Sequence, residues 1–143
     1  MYKRTDIHIV SGTITVNSAD DAIHSNGNVT IEDGTISLQA SDDGIHAEDT
    51  LTINNGTIDI SMRYEGLEAK NIVINDGVIA IVSSDDGINS TDASYTGNDM
   101  QSDSSLLTIN GGKITIDATG DGEMNGGTLS IYGPENGGNG AID

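Results

Sequence analysis

Paired carboxylates recur along this 143-residue chain at matched positions. The phrases read Asp20-Asp21-Ala22-Ile23-His24, Asp42-Asp43-Gly44-Ile45-His46, Tyr64-Glu65-Gly66-Leu67-Glu68 and Asp85-Asp86-Gly87-Ile88-Asn89, with a shorter Gly120-Asp121-Gly122. The second position is acidic in every copy: Asp21, Asp43, Glu65, Asp86 and Asp121. Oxygen donors repeated in this way suit a hard cation. Ca²⁺ takes six to eight oxygens in loose geometry, and corner carbonyls and Asn side chains supply the remainder. Zinc fits less well: the chain has no Cys, and His24 and His46 have no third nitrogen nearby in the pattern.

The elements that must position these residues follow from a second repeat. A corner glycine precedes an alternating apolar run at Gly12 (TITV), Gly34 (TISL), Gly56 (TIDI), Gly77 (VIAI), Gly112 (KITI) and Gly127 (TLSI). The steps are 22, 22, 21, 35 and 15; the long one holds an insertion over 91–104 and the short one a coil curtailed over 120–127. Each full repeat offers three short strands: a V/L-T-I run before the corner, the run after it, and the phrase that carries Gly-Ile-His. Ile, Leu and Val fall at alternate positions, on one face of each strand. The expected fold is all-β, a single-domain right-handed parallel β-helix (a solenoid) over 1–143, with about six coils of ~22 residues. The glycine column suits a corner whose backbone needs positive φ.

Stacked coils turn sequence columns into ladders. Carboxylates on adjacent coils would stand about 4.8 Å apart. At that spacing each pair repels by about 1 kcal/mol in bulk water, or roughly 3–4 kcal/mol at an effective dielectric near 20. Protons, backbone N–H groups or cations must offset that penalty. An aspartate before glycine also caps turns, and a capped corner needs no metal. Glu65 favours the metal, because glutamate caps turns poorly yet keeps its column acidic where the first Asp becomes Tyr64. His24 and His46 read as an ordinary exposed pair.

Composition narrows the partners. Twenty-three Asp and Glu against five Lys and Arg give a net charge of −18, which argues against nucleic acid and against an anionic membrane surface. The core must be aliphatic, since there is no Trp or Phe. No segment has the length and apolarity of a transmembrane helix or signal peptide. The expected location is extracellular or at the cell surface, as a mature or excised piece of an exported protein.

In their order, SADDAIH, SDDGIH, YEGLE, SDDGIN, TGDG and GPENGGNGAID resemble the bacterial carbohydrate-binding β-helix domains, which are calcium-binding and pectate-lyase-like. The resemblance covers nearly the whole chain. It implies Ca²⁺ ligands at Asp20, Asp21, Asp42, Asp43, Glu65, Glu68, Asp85, Asp86 and Asp121, and binding of acidic polysaccharide such as polygalacturonate, or of cellulose. Arg63 and Tyr64, beside Glu65, are expected to contact the sugar together with His46; a surface Tyr-Arg pair is the plainer reading of the first two. The expected role is non-catalytic. Pectate lyases share the fold but need a basic residue, and only Arg63 among Lys3, Arg4, Arg63, Lys70 and Lys113 falls within an acidic phrase. The alternative is structural: uncapped strand edges that support head-to-tail self-association into fibres.

Overall fold

The computed structural model describes residues 4–62, 64–92, 104–119 and 128–132, the last as backbone alone. Within them all regular structure is strand. One sheet collects β1 (Ile7–Ile9), β3 (Ile23–Ser25), β4 (Val29–Ile31), β6 (Ile45–Ile53), β8 (Leu67–Ile74), β10 (Ile88–Ser90) and β11 (Leu106–Ile109). The other stacks β2 (Thr13–Asn17), β5 (Thr35–Ala40), β7 (Thr57–Met62), β9 (Val78–Ser83), β12 (Lys113–Ala118) and β13 (Thr128–Tyr132). Every pairing is parallel and joins one coil to the next, which makes the chain a parallel β-solenoid.

Two details differ from the sequence reading. The described residues complete four coils rather than about six; a fifth contributes β11 and β12, and a sixth only β13. In the middle coils the phrase strand and the V/L-T-I strand run together as β6 and β8, joined through an irregularity between Ala47 and Thr50. The register shifts there, and pairing resumes at Thr50 on Asn71. Most of the 91–104 insertion and the whole of 120–127 lie outside the described residues.

Alternation fills the interior. Val29, Leu51, Ile72 and Leu107 form one buried column, and Ile31, Ile53, Ile74 and Ile109 a second. On the other sheet Ile36, Ile58, Ile79 and Ile114 stack likewise. Burying an aliphatic side chain of this size stabilises by about 1.5–3 kcal/mol. Like-on-like stacking of β-branched residues fits the pleat at every coil.

Glycine serves two purposes. At Gly34, Gly56 and Gly77 φ lies between 116° and 134°, as the corner column requires. Gly44, Gly66 and Gly87 instead permit close approach: a Cβ on Gly66 would fall 2.5 Å from the Gly87 carbonyl and 2.4 Å from Ile81 Cγ2. Each of these glycines meets the γ-branch of an isoleucine one coil on, at Ile60, Ile81 or Ile116. Ala22 occupies the same position in the first coil, and its counterpart by register is Leu38, which has no branch at Cβ.

Candidate functional site: the carboxylate corner

Strand register places the acidic phrases directly over one another. His24 pairs with His46, His46 with Glu68 and Glu68 with Asn89. The phrase backbones also bond coil to coil: Ala22 N–H to Asp43 C=O, Gly44 N–H to Glu65 C=O, and Gly66 N–H to Asp86 C=O. Asp21, Asp43, Glu65 and Asp86 therefore form one column, and Asp20, Asp42, Tyr64 and Asp85 its neighbour. Arg63 and Asp121 lie outside the described residues.

Each inner aspartate divides its two oxygens. Asp21 Oδ1 accepts from the Asp43 N–H at 3.2 Å, and Asp43 Oδ1 from the Glu65 N–H at 3.3 Å. This is the capping role, exercised on the next coil rather than on the local turn. The second oxygens face the imidazoles: Asp21 Oδ2 lies 3.0 Å from His24 Nδ1 and 3.5 Å from His46 Nδ1, and Asp43 Oδ2 lies 3.7 Å from His46 Nδ1. Glu68 Oε2 approaches the same nitrogen at 3.7 Å. The two rings stack with centroids 4.7 Å apart and planes 9° from parallel.

Burial sharpens the electrostatics. Asp43 and Glu65 are buried, Asp21, His46 and Glu68 half-buried, and Asp20, Asp42 and His24 exposed. Glu65 Oε1 accepts from the Asn89 amide at 2.9 Å, while its Oε2 is buried without a hydrogen-bond partner. Desolvation pushes the Glu65 carboxyl up to about 7 against the pull of the Asn89 amide, and Asp43, Asp86 and Asp85 push it further. Glu68 is pushed up to about 8, by desolvation first, then by its hydrogen bond to Asp43 and by the charges of Glu65, Asp43 and Asp21. Asp42 is raised by desolvation and by Asp43.

Three overlapping sets bring donor atoms within 4.8 Å of one another: Asp20, Asp21 and Asp42; Asp21, His24 and His46; and Asp43, His46 and Glu68. The first is all oxygen and fits a hard cation. The orphaned Glu65 oxygen and the protons that Glu65 and Glu68 retain are what a carboxylate column shows when nothing else compensates it. Asp85 and Asp86 continue the columns into the fourth coil.

A polar groove was not legible in the sequence. It has a volume of about 400 Å³ and is lined by Asn17, Ser18, Gln39, Ser41, Ser61 and Met62, with Ala40. These residues end β2, β5 and β7 and immediately precede the acidic phrases. Asn17 donates to Gln39 Oε1 at 3.1 Å, so amides already bridge coils there. Tyr64, at the head of the third phrase, is 49% exposed, and its phenol is held protonated by Asp85 above all. Among the described cations, Arg4 pairs with Asp49 and Lys70 with Asp92 at 2.8 Å.

The solenoid thus carries an acidic column and, at the strand ends that precede the acidic phrases in the chain, a polar groove. A family profile described as "Carbohydrate-binding domain-containing protein" matches residues 2–44 and 40–138, and the chain belongs to that family. No curated protein and no solved structure gives a match.

Proposed function

We propose that the chain binds acidic polysaccharide of the polygalacturonate kind through calcium held on the carboxylate corner, without catalysing a reaction. The observation that carries this reading is the compensation deficit at one column: Asp21, Asp43 and Glu65 stack coil on coil, and Glu65 Oε2 is buried without a partner. A net charge of −18 repels a polyuronate, so an intervening cation is needed for the two to meet.

Asp20, Asp21 and Asp42 would hold the ion, with Asp43, Glu65 and Glu68 alongside and Asp85 and Asp86 extending the column. Bound calcium supplies coordination positions for a uronate carboxylate. The chain's own residues do the rest. Asn17, Gln39 and Ser61 offer amide and hydroxyl groups to sugar hydroxyls along the groove, and exposed Tyr64 offers a ring face. The coil spacing of about 4.8 Å is close to one sugar residue, which allows a glycan to run along the solenoid axis. Binding outside the cell, where calcium and such glycans meet, accords with this role.

Affinity electrophoresis in gels containing polygalacturonate, with calcium or with EDTA, tests the reading. Retardation that needs calcium and is lost in Asp20→Asn/Asp42→Asn is expected. Equal retardation in EDTA, or retardation by cellulose alone, contradicts it.

A further inference from the structure

The histidines of the corner have a feature that the calcium reading does not use. Both Nδ1 atoms turn inward onto the same carboxylate oxygen, Asp21 Oδ2, at 3.0 and 3.5 Å. His46 Nδ1 is also ringed by Asp43 Oδ2 and Glu68 Oε2, each at 3.7 Å. A hydrogen bond to an imidazole nitrogen ends near 3.2 Å, so three of these four approaches are too long to be one. They fall within ion-pair range, and also near the spacing of ligands about a shared ion. Four ligands at about 2.0–2.1 Å from a tetrahedral zinc ion stand roughly 3.3–3.4 Å from one another. Within the set Asp21, His24 and His46, the two edges from Asp21 Oδ2 to the imidazole Nδ1 atoms, 3.0 and 3.5 Å, bracket that value; the two 3.7 Å approaches belong to a neighbouring set of Asp43, His46 and Glu68.

We infer that Asp21, which it shares with the calcium set, forms with His24 and His46 a second, mixed nitrogen–oxygen metal centre that takes Zn²⁺ in preference to Ca²⁺, beside the group of Asp43, His46 and Glu68. Donor type decides between the ions. Imidazole suits zinc and its transition-metal neighbours, whereas calcium is served by oxygen. Two imidazoles with a carboxylate make a known kind of zinc set, so a third nitrogen is unnecessary.

The scaffold also holds these donors in place before any ion arrives. Asp21 is fixed by the Asp43 N–H on its other oxygen, and Asp43 by the Glu65 N–H. The two rings are held parallel by the register of β3 on β6. Such outer contacts orient ligands and raise affinity.

The test is calorimetric titration of metal-free protein with zinc chloride and, separately, with calcium chloride, joined to the visible spectrum of the cobalt(II)-substituted protein. One zinc should bind per chain, and cobalt should give the intense absorption of a tetrahedral nitrogen–oxygen site. His46→Asn should weaken zinc by at least ~100-fold, because it removes a ligand, whereas loss of an outer contact costs 10–100-fold. Asn is already accommodated in this column at Asn89. Should that variant fold poorly, His24→Asn, at an exposed position, asks the same question. Asp20→Asn/Asp42→Asn should weaken calcium and leave zinc within a few-fold, which separates this centre from the polysaccharide site. Zinc binding that survives both histidine variants, six-coordinate cobalt with weak absorption, or zinc lost together with calcium in the aspartate variant would each overturn the assignment.

Discussion

Two corners of the solenoid share the repeat and the coil spacing and solve the stacking problem in opposite ways. Ahead of the glycine corner, Asn54 donates to Glu32 at 2.7 Å, Asn75 to Asn54 at 2.7 Å and Asn110 to Asn75 at 2.7 Å. An amide both donates and accepts, so a ladder of amides satisfies itself from one coil to the next. At the phrase corner the column is Asp21, Asp43 and Glu65, and an ionised carboxylate only accepts. Backbone N–H groups take one oxygen of each aspartate, and the side chains facing the column, His24, His46, Glu68 and Asn89, change from coil to coil and leave Glu65 Oε2 without a partner. The glutamates record the contrast. Glu32 is lowered, by the Asn54 amide first and then by His8, whereas Glu65 and Glu68 are raised to about 7 and about 8. A repeat can thus build a closed structural ladder or an open one that invites a cation, and the choice turns on whether its residue can donate.

The strongest way to break the comparison is to make the closed corner like the open one. Asn54→Asp/Asn75→Asp removes two side-chain bonds of about 1 kcal/mol each and creates two stacked carboxylate pairs, with Glu32 and with each other, at about 1 kcal/mol or more apiece. Stability at pH 8 should fall by about 4 kcal/mol, or roughly 8–16 °C in Tm, and partly return near pH 4 as the new carboxylates protonate. Thermal unfolding by circular dichroism reads it.

A somewhat smaller effect needs no mutation. The carboxyls of Glu65 and Glu68 are raised in the folded protein above the ordinary 4.5 that the unfolded chain shows. Between pH 4.5 and 8 the folded state therefore holds more protons than the unfolded state, and stability falls as pH rises. Their contribution is fully present below pH 4.5 and lost as pH passes about 7 to 8. Metal-free protein should lose about 3 kcal/mol over that window. That is well below the full linkage of two such shifts, because Glu68 is only half-buried and solvent screens it, and because the two carboxyls share one repulsion. Saturating calcium should flatten the slope. Urea unfolding at a series of pH values measures both.

Making the open corner less charged sharpens the same contrast. Glu65→Gln removes the buried ionisable group, so metal-free protein at pH 8 should gain about 2 kcal/mol while the stabilisation conferred by calcium shrinks. Paired melts in EDTA and in calcium resolve the two changes. Least of all, Tyr64→Ala should leave stability within about 0.5 kcal/mol and weaken polygalacturonate retardation by a factor of roughly five, as expected of an exposed ring that only stacks on sugar.

The solenoid and its columns were legible because a period of ~22 residues and an alternation of two are statements about backbone, and stacking maps them directly into space. The register of His24 on His46 and of His46 on Glu68 follows from phrase spacing alone. What stayed hidden depends on side-chain direction. Spacing does not say that Asp21 turns one oxygen to a backbone N–H and the other to two imidazoles. An exposed-pair reading of His24 and His46 therefore missed the convergence of their Nδ1 atoms. Nor does it reveal the groove, since Asn17, Gln39 and Ser61 read as the outward residues of ordinary strands. Fusion of two expected strands into β6 was equally invisible, because a register shift within a continuous strand leaves no mark in composition.

The most direct test of the central claim is thermal unfolding of metal-free protein at pH 8 against a calcium titration, with magnesium as control. A ligand that binds only the folded state stabilises it by RT ln(1 + [L]/Kd), about 2.7 kcal/mol at 100-fold excess over Kd. The account predicts a calcium-selective rise in Tm of roughly 5–11 °C, largely lost in Asp20→Asn/Asp42→Asn. An unchanged Tm, or the same rise with magnesium, would mean that the carboxylates only cap corners, and the calcium-dependent function would fall with it.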